Sequence, residues 1–346
     1  MFQYPVSEDA KAIALLTVYL DSAAPYKPLN ISEYNRVVRS LVRLGAAPAD
    51  LMTGTCLIDT AKDANVDPER LKYLVSRGVS LGFALENWQR SGLWMVGRSD
   101  AAYPKRMKEH LKENAPAILF GAGDLSLADR PAIGVVGSRN VDEDGQQYTA
   151  AFAEWAVHSG RAVVSGAARG VDSIAMNAAI HHGGSAIGLL AENLLRKSLA
   201  SDTLSALYSG NLLLISSYHP AARFSVGNAM GRNKQIYAMA DLTAVISSDH
   251  KKGGTWSGAV EELKRPRSKP VFVRTGANTP KGNAALLLLG AKELPPQFIT
   301  GSVEDLLQLN DMKKQIEHAT GRKTYTNMDL FETAVSPQVR EDNSKN

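Results

Sequence analysis

The sequence predicts an α/β protein: a doubly wound, mainly parallel sheet behind a smaller, all-helical N-terminal domain. Three observations carry this. From Ile133 onward, short apolar β-type runs alternate with helix-period runs. Two of these β runs end on glycine-rich segments that precede helices, at Gly134–Asn140 and Ser165–Asp172. The first 110 residues, in contrast, read as helical. Alternation of strands and helices requires right-handed crossovers and so a parallel sheet.

In order along the chain, Ala10–Leu20 is apolar and helix-prone, and Ile31–Leu44 repeats apolar residues at Tyr34, Val37, Val38, Leu41 and Leu44. Ser32 is the expected N-cap of the second helix and Gly45 its stop. Asp67–Val75 and Ser80–Gly92 read as further short helices. Tyr103-Pro104 opens a turn, and the run from Pro116 to Gly123 reads as a strand closing on glycines. Strands are then expected at Ile133–Val136, Ala162–Val164, Ser185–Leu190, Leu212–Ser216, Ala244–Ser247 and Pro270–Val273. Helices are expected at Gly145–Ser159, Val171–His181 and Gly258–Lys264. Ser302 caps a helix running towards His318, and residues 321–346 read as a disordered polar tail. The expected divisions are 1–110 helical accessory domain, 111–300 α/β domain, 301–320 C-terminal helix and 321–346 tail.

Composition bounds the function. With 346 residues and 44% hydrophobic content, the chain can bury one large domain and a smaller one. Its single cysteine, Cys56, excludes an internal disulfide and a cysteine-based metal site. No apolar run approaches membrane-span length, and the start has no leader pattern, so a cytoplasmic protein without membrane contact is expected. The net charge of +4 is too mild to assign a partner. His181-His182 lack further ligands at metal spacing, so neither metal nor cofactor is expected.

The glycine segments carry the chemistry. Helix starts present outward N–H groups and the positive end of the macrodipole, and glycine lets a phosphate approach the backbone. The segments contain Gly137, Ser138, Arg139 and Asn140; Ser165, Gly166, Arg169 and Gly170; Arg232, Asn233 and Lys234; and Gly254, Thr255 and Trp256. Arg139 is read as a phosphate grip. Ser138 and Ser165 either donate to phosphate or cap their helices, and Asn140 and Asn233 either form turns or touch ligand. Arg169, Arg232 and Lys234 would track a nucleic-acid backbone, with Phe224, Tyr237 or Trp256 stacking on bases. Trp256 is the favoured stacking residue because its segment reads as a loop. Asp172 either orients a ribose or base, serving catalysis, or caps the helix from Val171. Glu261 is read as turning inward as a catalytic carboxylate and Glu262 as solvated.

Together these segments resemble the DprA/Smf family of DNA-processing proteins. The resemblance runs over about residues 95–295, through Tyr103-Pro104, Ile118–Leu125, Val135–Asn140, Ser165–Ala175, and Phe224 with Arg232-Asn233-Lys234. It implies an extended Rossmann-like domain that binds DNA, preferably single-stranded, with a homodimer and a recombination protein as further partners. The chain departs from the family pattern at Met176, where a histidine is common, and at Gly253-Gly254-Thr255. The latter, followed by Glu261, is similar to a segment of LOG-type nucleotide N-glycosidases. An alternative function is therefore an N-glycosidase releasing a base from DNA or a nucleotide, such as a DNA glycosylase acting on foreign DNA in phage defence.

Overall fold

The computed structural model describes residues 4–21, 23–294 and 302–308. Six helices come first: α1 (Glu8–Thr17), α2 (Ile31–Leu44), α3 (Asp50–Thr53), α4 (Leu57–Asp63), α5 (Pro68–Val75) and α6 (Gly78–Arg90). The order continues β1 (Trp94–Gly97), α7 (Lys105–Leu111), β2 (Ile118–Gly123), β3 (Ala132–Gly137), α8 (Glu143–His158), β4 (Ala162–Ser165), α9 (Val171–His181) and β5 (Ala186–Leu190). Then come α10 (Leu194–Ser198), α11 (Ser201–Tyr208), β6 (Leu212–Ser216), α12 (Val226–Met239), β7 (Leu242–Ser247), α13 (Gly253–Leu263), β8 (Val271–Arg274), α14 (Lys281–Leu288) and β9 (Lys292–Leu294).

The strands form one nine-stranded sheet in the order β1-β2-β6-β5-β4-β3-β7-β8-β9. It is parallel from β6 to β9. Only β1 and β2, at one edge, pair antiparallel. The chain leaves β3 in one direction through β4, β5 and β6, then crosses back to lay β7 on the other side of β3. That reversal opens a crevice beyond the carboxyl ends of β3 and β7, where doubly wound sheets receive ligands.

Helices cover both faces. α8 and α9 share an apolar cluster with β3, β4, β7 and β8, through Phe152, Ile133, Val163 and Phe272. α7, α12 and α13 pack on the opposite face through Met107, Ile236 and Ala259. The N-terminal helices bury Ile13, Leu16, Val37 and Leu71 in a third cluster that continues into Phe120, Leu190 and Leu214 of the sheet.

The reading of the first 110 residues as helical misses β1. Its four residues become a strand by pairing with β2, a tertiary cause invisible to local periodicity. The cap of α2 is Asn30 rather than Ser32. Asn30 Oδ1 accepts from the Glu33 amide and Glu33 Oε2 accepts from the Asn30 amide, a reciprocal capping box. Gly45 does end this helix, in the left-handed region at φ 66°. Ser302 Oγ accepts from the Asp305 amide at the start of helix 303–308. The expected helix beyond residue 308 and the expected tail lie outside the described residues. Among the described residues, no helix is long and apolar enough to cross a membrane.

Candidate nucleic-acid interface

A cleft of about 530 Å³ opens at the β3/β7 crevice. One wall is the turn after β3, with Gly137, Ser138, Arg139 and Asn140; another is the start of α13, with Lys252, Gly253, Gly254 and Thr255. α12 supplies the third wall and floor, through Met230, Arg232, Asn233 and Tyr237. Phe224 stands just before α12 at the mouth.

Backbone packing holds the turn in place. The Val171 amide donates to the Ser138 carbonyl at 3.2 Å. Gly170, at φ 86°, lies so close that a Cβ there would strike the Ser138 and Arg139 carbonyls. The Asn140 amide donates to Ser138 Oγ (3.1 Å), and Arg169 Nη2 donates to Asn140 Oδ1 (2.6 Å). Ser138 thus closes a turn, while α8 is capped by Asp142. Opposite, Thr255 Oγ1 donates to the Gly137 carbonyl (3.1 Å), and Asn233 Nδ2 donates to the Gly254 carbonyl (2.9 Å). The α13 start is therefore pinned to both β3 and α12. No side chain caps it, so its first amides remain available to an anion.

Two arginines divide the work. Arg139 is exposed at the rim, its guanidinium carbon 5.4 Å from the centre of the Phe224 ring. Phe224 itself is 47% exposed. Arg232, in contrast, is only 7% exposed and donates from Nη1 to Asp172 Oδ2 at 3.4 Å. Its guanidinium lies over Gly166, where any Cβ would fall on the same nitrogen. Burial pushes the Asp172 carboxyl up from its ordinary range, outweighing the pull of Arg232. Arg232 Nε and the Tyr237 hydroxyl, both buried, have no hydrogen-bond partner in the protein.

Several expected roles change. Gly231–Lys234 is no glycine turn; it lies inside α12, where Gly231 leaves room for the Tyr218 hydroxyl. Ser165 is fully buried and donates to the Val135 carbonyl (2.6 Å), so it neither caps α9 nor faces a ligand. Gly166 receives Arg232 rather than a phosphate. Asp172 lies in the first turn of α9, whose N-cap is Gly170, and makes no cap. Trp256 stands in the first turn of α13, packs against the apolar cluster and meets His250 edge-on at 5.1 Å. It does not line the cleft, and Phe224 takes the exposed aromatic place.

The two glutamates exchange their expected positions. Glu261 pairs with Lys234 (2.9 Å), half-exposed and outside the cleft. Glu262 is 2% exposed and bonded to His110 Nε2 (3.0 Å), Arg265 Nε (3.3 Å) and the Lys269 amide (2.7 Å). One residue is about 100° around a helix, enough to invert the assignment. The carboxylates that do line the cleft are Asp172 and Asp249. The N-glycosidase expectation thus lacks Glu261 at the sugar. Lys252, Asp249 and Met230 also escaped the sequence reading; the Lys251-Lys252 pair before Gly253 was the available signal. Among the described residues, no group of three or more His, Cys, Asp or Glu is placed to hold a metal ion.

A family model described as DNA recombination-mediator protein A matches residues 94–298, more than half of the 346 residues. The chain belongs to that family. The DNA processing protein DprA of Bacillus subtilis is 26% identical over 174 residues, 49% of this chain and 57% of the relative. That of Streptococcus pneumoniae is 28% identical over 166 residues, 47% of this chain and 58% of the relative. The chain thus spans a little over half the length of these two curated relatives. The X-ray structure of DNA processing protein A from Streptococcus pneumoniae has a TM-score of 0.63, covering 81% of this chain and 93% of that chain at 19% identity. That likeness establishes the extended Rossmann-like fold expected from the sequence.

Proposed function

We propose that the chain binds single-stranded DNA in the β3/β7 cleft. The observation that carries this reading is the exposed Arg139–Phe224 pair beside the uncapped start of α13. A sugar–phosphate chain supplies the two chemistries this rim accepts. Phosphate meets Arg139, Lys252 and the first amides of α13, lined by Gly137, Ser138, Asn140, Gly254 and Thr255. A base stacks on Phe224, which an unpaired strand permits and a closed duplex does not. Membership of a family described by recombination mediation supports the same reading, as do relatives named for DNA processing. The proposal extends to action in the cytoplasm and to a homodimer and a recombination protein as partners, for which sizing of the DNA complex is the first check.

The test is titration with single-stranded oligonucleotide at several salt concentrations. Affinity falls steeply with salt, each neutralised phosphate adding about −0.7 to the log–log slope. Arg139→Ala weakens binding by about 1.5–3 kcal/mol and leaves the melting temperature unchanged. Absence of binding at low salt, or a flat salt response, overturns the reading.

A further inference from the structure

α13 begins in the cleft and ends at the opposite pole of the sheet. Its eleven residues span about 16 Å at 1.5 Å per residue. At its far end lies a second groove of about 720 Å³, between α7 and the segment that follows α13. Two basic runs meet there: Lys105-Arg106-Met107-Lys108-Glu109-His110-Leu111-Lys112 and Lys264-Arg265-Pro266-Arg267-Ser268-Lys269. Arg106, Lys112, Arg265, Arg267 and Lys269 line the groove, against the carboxylates of Glu109 and Glu113.

The inner cations are fastened and the outer ones are not. Arg106 pairs with Asp241 (2.6 Å), and Arg265 with Glu262 (3.3 Å). Lys269 Nζ donates to the Ala238 and Ala240 carbonyls at 2.8 and 2.6 Å. Burial, and then the neighbouring Arg106, lower the pKa of that ammonium, while Asp241, Glu262 and Glu109 pull it the other way. Lys112 and Arg267 are exposed and form no salt bridge among the described residues. Between cleft and groove, Lys234 and Arg265 share Glu261 at 2.9 and 3.8 Å, so the α12–α13 seam carries two cations to one carboxylate.

We propose that a DNA strand held in the cleft continues along α13 into this second groove, where Lys112 and Arg267 meet its phosphates. The proposal rests on the reading of the cleft as a DNA site. A small anion would call for convergent, buried donors; this groove is open and its unpaired cations stand at the surface. A polyanion with repeated, spaced charges matches it better.

The experiment compares oligothymidylates of about 4 and about 16 nucleotides, the range of site sizes that single-strand-binding folds engage. The Lys112→Gln/Arg267→Gln double variant should bind the longer oligonucleotide more weakly, with its salt slope reduced by about 1.4, or about 0.7 for each lost phosphate contact. The shorter one, filling the cleft alone, should bind as to the wild type, while Arg139→Ala weakens both. An unchanged salt slope on the longer oligonucleotide, with Arg139→Ala still damaging, removes the groove and leaves the cleft reading intact. Equal loss on both lengths also overturns the groove, since it marks a general change of charge. If the wild type binds neither length, both readings fall.

Discussion

Two buried carboxylates sit at opposite ends of the same sheet. Glu262, at the amino end, receives His110, Arg265 and the Lys269 amide. Burial alone would raise its pKa, but these donors outweigh it and hold the carboxyl below its usual range. Asp172, in the cleft at the carboxyl end, has Arg232 at 3.4 Å and hydrogen bonds from the Ala168 amide and the Ser165 hydroxyl, yet burial wins: its carboxyl is pushed up. Around Asp172 the Arg232 Nε and the Tyr237 hydroxyl lack protein partners. The donors around Glu262 thus outweigh its burial, while those around Asp172 do not. Buried polar groups are normally satisfied, and exceptions concentrate where a protein meets a ligand.

The sharpest way to break this comparison is Asp172→Ala. It strands the buried Arg232 charge and should lower stability by about 3–5 kcal/mol in denaturant unfolding. A loss below about 1 kcal/mol, the range of exposed pairs, would show that Arg232 turns out to water. Next comes Glu262→Gln, expected to cost about 1.5–3 kcal/mol at neutral pH through weakened charge-assisted bonds. Because the Glu262 pKa is depressed, its stabilisation is present above the unfolded value near about 4.3 and disappears as pH falls through the folded value. Melting temperatures of the two proteins should therefore converge in acid; a constant gap would assign the effect to packing.

These contrasts show how much the sequence reveals. The strands and the glycine segments after β3 and β4 are legible because apolar runs and their stops are local signals. α12 is not. It holds Gly227 and Gly231, which oppose helix, and it forms because Ile236 and Met239 bury on the sheet. Arg139 and Arg232 look alike as glycine-flanked cations. Which one is buried depends on Gly166 and Asp172, which are distant in sequence. The Glu261/Glu262 reversal has the same origin: helix phase is set by what α13 packs against, and no local residue reports it.

Phe224→Ala sharpens the cleft side further. It should cost about 1–3 kcal/mol of single-strand binding by loss of a stacking surface, with stability unaffected because the ring is exposed. Equal binding by the variant would make Phe224 a support for Arg139 alone. The smallest effect belongs to Glu261→Gln. Its pairs with Lys234 and Arg265 are partly exposed, so stability should change by less than about 1 kcal/mol in denaturant unfolding. A larger loss would mean that the α12–α13 seam is as tightly tied as the Glu262 cluster.

The seat of Arg232 on Gly166 ties two distant positions together. Positions 166 and 232 share one volume, so a side chain at 166 must displace the guanidinium. A methyl group at 166 evicts the guanidinium and breaks its contact with Asp172. A shorter side chain at 232 would vacate the space but leave the buried Asp172 carboxyl without its cation. The bare backbone at Gly166 is thus filled by a side chain of the protein itself.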